Sequence, residues 1–146
     1  MSTERSIERL FVWDSSCASV DTKDKLISLF YALLHGDYAD ALKRFGTEVR
    51  LEKYLLKFLA DTSFSDLCAA LNRQDMEGAQ RAAHSLKGTS RLLGLVNLGT
   101  ASERLECALR NAQSTELPFL LLQTQAEYVR TVSAIHSLQV SGEGQP

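Results

Sequence analysis

Residues 75–94 read DMEGAQRAAHSLKGTSRLLG. Asp75 is a helix-capping residue type, Gly94 a helix-stopping one, and no proline lies between them. The stretch therefore predicts one long helix. At ~100° per residue, Ala79, Ala82, Leu86 and Leu93 share one face, with Thr89 at its edge. Ala79, Ala82 and Ala83 are small and let a neighbouring helix come close. The opposite face holds Glu77, Gln80, Arg81, His84, Lys87, Gly88 and Arg91, with His84 at its centre.

That placement argues against a core histidine, because His84 lies opposite the apolar stripe. A passive surface histidine leaves Gly88 unexplained, since glycine inside an exposed helix costs roughly 1 kcal/mol relative to alanine. One turn beyond His84 on the same face, the missing side chain clears room for a docking partner. Lys87 puts an ammonium close to anything bound to the imidazole.

Outward from this helix, the punctuation of the chain marks further helices. Asp21 is the expected cap of a helix carrying Leu26, Leu29, Phe30, Leu33 and Leu34, which Gly36 stops. Residues 38–45 form a short helix closed by Gly46. Thr47 caps a helix with Val49, Leu51, Tyr54, Leu55, Phe58 and Leu59 on one broad face. Ser63 opens a short helix ending near Asn72, and Asn97 is the expected cap of a helix through Ala112. The last helix starts at Ser114 or Thr115, where Pro118 is tolerated in the first turn. Its Leu117, Leu121, Thr124, Tyr128, Thr131, Ile135 and Leu138 alternate steps of four and three, the stripe a bundle helix turns toward its neighbours. Short connections predict antiparallel neighbours. The expected fold is all-α: an antiparallel four-helix bundle with an additional N-terminal helical segment. Residues 1–20 give no strong periodic signal and stay unassigned, and 141–146, SGEGQP, read as a flexible tail.

A chain of 146 residues predicts one domain with a core adequate to fold unaided. With 45% apolar and 23% charged residues the composition argues against disorder. A formal charge of −2 without a basic stripe disfavours nucleic acid as a partner. No apolar run approaches the ~18–20 residues of a membrane span, and MSTERSIERLFVWD lacks the pattern of an export signal. Cys17, Cys68 and Cys107 are odd in number and form no CxxC pair. Neither a disulfide framework nor a zinc site is expected, and the predicted compartment is the cytoplasm.

The segment AAHSLKGTSRLLG, residues 82–94, closely resembles the signature of the bacterial histidine-containing phosphotransfer (HPt) family, AH-x-[LI]-KG followed by a glycine ten residues after the histidine. YALLHGDYADALKRF (31–45), LEKYLLKFLADTSFSDLCAAL (51–71) and ASERLECALR (101–110) are also similar to stand-alone HPt proteins. The resemblance covers roughly residues 31–112 and, more loosely, the last helix. It implies an HPt bundle over 21–140; a monomer is the separate expectation for its assembly. His84 would accept a phosphoryl group from a receiver-domain aspartate or a hybrid sensor kinase and pass it to another aspartate. The chain would need no cofactor of its own, with Mg²⁺ held by the partner receiver, and would not be an autonomous enzyme.

The residues suit that chemistry. Imidazole titrates near ~6.5, so a histidine side chain is largely a neutral nucleophile at neutral pH. A phosphoryl group in transit needs its charge balanced, which a lysine at position 87 can do as a point charge. Family members place a carboxylate or amide twenty-two residues beyond the histidine, here Glu106. Accepting the Nδ1–H would fix the tautomer and leave Nε2 free to attack. The alternative is a solvated helix residue between Glu103 and Arg110. Gln80, Arg81 and Arg91 are candidate binding residues. Arg91 departs from the family's usual small residue, so it touches the phosphoryl group or an acidic receiver surface, restricts the choice of partner, or is an ordinary exposed arginine. His35 and His136 have no comparable setting.

Three other functions compete. A non-phosphorylated adaptor or inhibitor with the same fold would have no use for the trio His84, Lys87 and Gly88. A hydrolase would need a second catalytic group and a pocket, which a narrow bundle offers poorly. A chemotaxis kinase would need ATP-binding and dimerisation domains that 146 residues cannot hold.

Overall fold

A computed structural model describes residues 19–112 and 115–143. These form seven α-helices: α1 (Ser19–Leu33), α2 (Tyr38–Phe45), α3 (Glu48–Lys57), α4 (Ser63–Asn72), α5 (Met76–Leu92), α6 (Val96–Arg110) and α7 (Leu117–Glu143), with a 3₁₀ turn at Phe58–Ala60. The all-α expectation holds among the described residues. Helices α4 to α7 make the bundle, α5 packing most extensively on α6 and α4, and α7 on α6. The short α1–α3 segment is the added N-terminal part, and α1 lies against α7. No helix of the described residues is long and apolar enough to cross a membrane.

The caps explain most boundaries. Asp37, Thr47 and Asp75 each accept a hydrogen bond from the backbone N–H three residues on, satisfying donors that the first helical turn leaves free. Two expected caps are corrected. Helix α1 starts at Ser19, because nothing in Ser19–Val20 breaks a helix, so Asp21 lies inside it. Helix α6 starts at Val96, because the Leu95 N–H returns to the Ser90 carbonyl at 2.8 Å and closes the turn two residues before Asn97. Ser114 lies outside the described residues, and the last helix begins at Leu117. It runs through Glu143, three residues into the stretch read as a tail, and residues 144–146 lie outside the description. The assignment-free residues 1–18 also lie outside it.

Two connected clusters form the core. Ile27, Phe30 and Tyr31 of α1 and Leu34 just after it pack with Leu51, Leu55, Phe58, Leu86, Leu98, Ile135 and Leu138. Leu67, Ala79, Ala83, Leu105 and Leu109 form the second cluster, between α4, α5 and α6. Burying one leucine of this kind stabilises the fold by roughly 1.5–3 kcal/mol. On α7, Thr124, Thr131, Ile135 and Leu138 of the expected stripe are buried. The face foreseen for α3 is narrower than expected, since Val49 is 80% exposed. Leu51 and Leu55 of α3 and Phe58 of the following turn, at steps of four and three, are fully buried, and Leu59 packs against the core while partly exposed.

The α5–α6 turn is locked from outside. Gly94 has φ +71, and a Cβ there would lie 2.6 Å from the Asp37 carbonyl oxygen. That oxygen approaches because the Asp37 N–H donates to the Gly94 carbonyl at 2.9 Å. The Tyr31 hydroxyl donates to the Leu93 carbonyl at 2.6 Å. Burial, reinforced by the neighbouring Tyr38 hydroxyl, pushes the Tyr31 phenol well above its usual range. The Arg44 guanidinium donates to the carbonyls of Arg91 (3.1 Å) and Leu92 (2.6 Å). Helices α1 and α2 thus satisfy the carbonyls that the end of α5 leaves without helical partners.

Candidate functional site: a histidine held by a buried carboxylate

The stripe of small residues on α5 has a counterpart on α6. Ala79, Ala82, Ala83 and Ser90 are buried against α6, whose Leu98, Gly99, Ala101, Ser102 and Leu105 are buried in turn. With so little side chain between them the two helices come close, and residues at the seam can reach one another across it. Three pairings there run in opposite chain directions. Arg91 meets Glu103, Lys87 meets Glu106 and His84 meets Glu106.

Glu106 is the centre of this seam. Its side chain is only 2% exposed. Oε2 lies 2.9 Å from Nδ1 of His84, while Oε1 accepts from the Lys87 ammonium at 3.1 Å and the Arg110 guanidinium at 2.7 Å. Glu106 is thus a buried acceptor held by three donors. Burial alone would raise its carboxyl pKa, but hydrogen bonds from Lys87 and His84 outweigh that and hold it below the ordinary range. An ionised carboxylate can only accept, so the proton of the neutral imidazole sits on Nδ1 and the lone pair on Nε2. The His84 side chain is 70% exposed.

Lys87 differs from its expected setting. Its side chain is 16% exposed and its ammonium is spent on Glu106 rather than standing open beside the imidazole. Gly88 is exposed, and a Cβ built on it would meet nothing within 4 Å. Arg91 turns away toward α6, where its stem crosses Gly99, whose added Cβ would lie 3.2 Å from Arg91 Cγ. Its guanidinium ends 2.6 Å from Glu103. Gln80 and Arg81 join Glu77, His84, Glu106 and Arg110 around an open concavity of about 390 Å³. The structure therefore gathers His84, Lys87, Glu106, Gln80 and Arg81 at one place and puts Arg91 in a separate ion pair. His35 takes the left-handed turn after α1, at φ +52, and His136 is exposed on α7. Neither is a member of the site.

The sequence placed Glu77 on the face of His84 and Arg110 beside Glu106, but neither was assigned to the site that both border. Arg110 was legible: it lies four residues after Glu106, the spacing at which a helical glutamate and arginine pair.

Comparison with known proteins yields a match to the Hpt domain over residues 55–135. Neither curated proteins nor solved structures give a match. Hpt domains are histidine phosphocarrier modules that act with receiver domains and kinases in phosphorelays. The matched segment takes in the end of α3, all of α4 to α6 and most of α7. It covers more than half of the chain, and the protein belongs to the Hpt domain family.

Proposed function

We propose that this protein carries a phosphoryl group on Nε2 of His84, between receiver aspartates or from a hybrid sensor kinase to a response regulator. The observation that carries this reading is the exposed imidazole whose Nδ1 is held at 2.9 Å by a buried carboxylate. Nε2 attacks the phosphorus of an aspartyl phosphate, the N–P bond forms, and the P–O bond breaks with its electron pair returning to the aspartate. The ring keeps the Nδ1 proton and becomes a phospho-imidazolium, whose positive charge faces Glu106. Return of the phosphoryl group to a second aspartate reverses these changes.

In this reading Glu106 is a positioning residue that sets tautomer and ring orientation, and Lys87 acts through it by balancing its charge. Gly88 leaves space for the receiver, while Gln80, Arg81 and Arg91 face or flank it. Mg²⁺ belongs to the receiver's aspartate site, and the chain contributes no hydrolytic or kinase activity of its own. It works in the cytoplasm as a monomer.

Incubation with a ³²P-labelled receiver and Mg²⁺ tests the reading. Label is expected on this protein at one site, through an acid-labile, base-stable bond. Undiminished label in a His84→Gln variant would overturn it.

A further inference from the structure

Two cations share one oxygen of Glu106, and they are not equivalent. Lys87 is 16% exposed and does not border the concavity beside His84. Arg110 is 55% exposed and does border it. If Lys87 left Glu106, its ammonium would give up a nearly buried ion pair. If Arg110 left, Glu106 would keep both Lys87 and His84 and remain compensated. The departure of Arg110 therefore leaves no buried charge unpaired, which is the costly outcome in such networks.

Nδ1 is held by Glu106, which leaves Nε2 as the free nitrogen of a largely exposed ring that itself lines the concavity. A phosphoryl group on Nε2 brings roughly two negative charges there. It would meet Arg110 from α6 and Arg81 from α5, one turn before His84. Arg81 has no ion pair or side-chain hydrogen bond among the described residues, and a guanidinium offers two parallel N–H donors to phosphoryl oxygens.

Resting on the phosphocarrier reading above, we infer that Arg110 is the phosphoryl-contacting cation of this site. It turns from Glu106 to the group on Nε2 when His84 is phosphorylated, while Lys87 stays behind on Glu106. Arg81 completes the clamp from the opposite helix.

Phosphoramidate tests this without a protein partner, since it phosphorylates histidine directly and makes no docking contacts. The full chain is labelled as wild type, Arg110→Ala, Arg110→Gln, Arg110→Lys and Lys87→Met, and the phosphorylated forms are titrated by ³¹P NMR. The second ionisation of a phosphoryl group falls near pH ~6, and an adjacent cation lowers it. Arg110→Ala and Arg110→Gln are expected to label about tenfold more slowly and to raise the ³¹P midpoint by about 0.5 unit, with Arg110→Lys in between. Lys87→Met is expected to shift the midpoint less than either. Unchanged labelling and midpoint in Arg110→Ala and Arg110→Gln overturn the inference. A larger midpoint shift in Lys87→Met overturns it in favour of lysine. Failure of wild type to label at His84 takes down the phosphocarrier reading itself, and this inference with it.

Discussion

Two glycines of one motif, Gly88 and Gly94, sit six residues apart and are there for opposite reasons. At Gly94 the backbone is left-handed and the Asp37 carbonyl fills the space a side chain would need. At Gly88 the backbone is helical and nothing fills that space. The first glycine is required by what touches it, while the second, on the proposed reading, leaves room for a receiver to arrive. One end of α5 is thus closed by the protein's own N-terminal helices, while its middle is kept open. A glycine in a motif can report either fold or function, and its surroundings tell which.

Four substitutions probe that contrast, starting with the largest effect. Gly94→Ala forces an L side chain to φ +71 and against a carbonyl oxygen. A loss of about 3 kcal/mol is expected, a fall in Tm on the order of 10 °C. Calorimetry showing an unchanged Tm would mean that the α2 contact yields at little cost.

Gly88→Leu should do the reverse. Its stability should hold or rise, because leucine is the better helix former. Receiver-dependent transfer should fall about 30-fold, ~2 kcal/mol at the transition state, while labelling by phosphoramidate is spared. Normal transfer from the receiver would refute the clearance argument.

Glu106→Gln sharpens the comparison at the seam itself. At neutral pH it should cost about 1–2 kcal/mol, because a mostly buried Lys87 loses its charged partner. The sign with pH follows from the lowered Glu106 pKa. Its contribution is complete above the ordinary carboxylate range, near ~4.3, and is lost as pH falls through the lower folded value. Wild type and variant should therefore converge in stability below that range. Parallel acid-unfolding curves would show that Glu106 gains nothing from its three donors.

Ser90→Ala gives the smallest effect. The Ser90 hydroxyl is buried against α6 with no hydrogen-bond partner among the described residues. Removing it should leave stability unchanged or raise it by up to ~1 kcal/mol, measured by urea melts. A clear loss would point to a partner for that hydroxyl.

The periodicity of residues 75–94 was enough to separate a packed face from a polar one and to centre His84 on the polar side. Periodicity is a property of a single helix, so the sequence alone carries it. It also carries caps such as Thr47 and Asp75, whose side chains act within three residues. What lay beyond reach were effects decided by a neighbour. Asn97 looked like a cap until the Ser90 carbonyl closed the turn first. Val49 belonged to an apolar pattern of which α3 buries only part. Glu106 could be read as solvated or as the partner of His84, because the wheel of its own helix does not say how near the next helix lies. The small residues on both sides of the seam decide that distance. Once it is short, one carboxylate is buried among His84, Lys87 and Arg110, and the charges cease to be a solvated face. The fold class and the candidate histidine were thus properties of local sequence. Which cation is committed to Glu106, and which is left at the edge of the concavity, depended on two helices meeting.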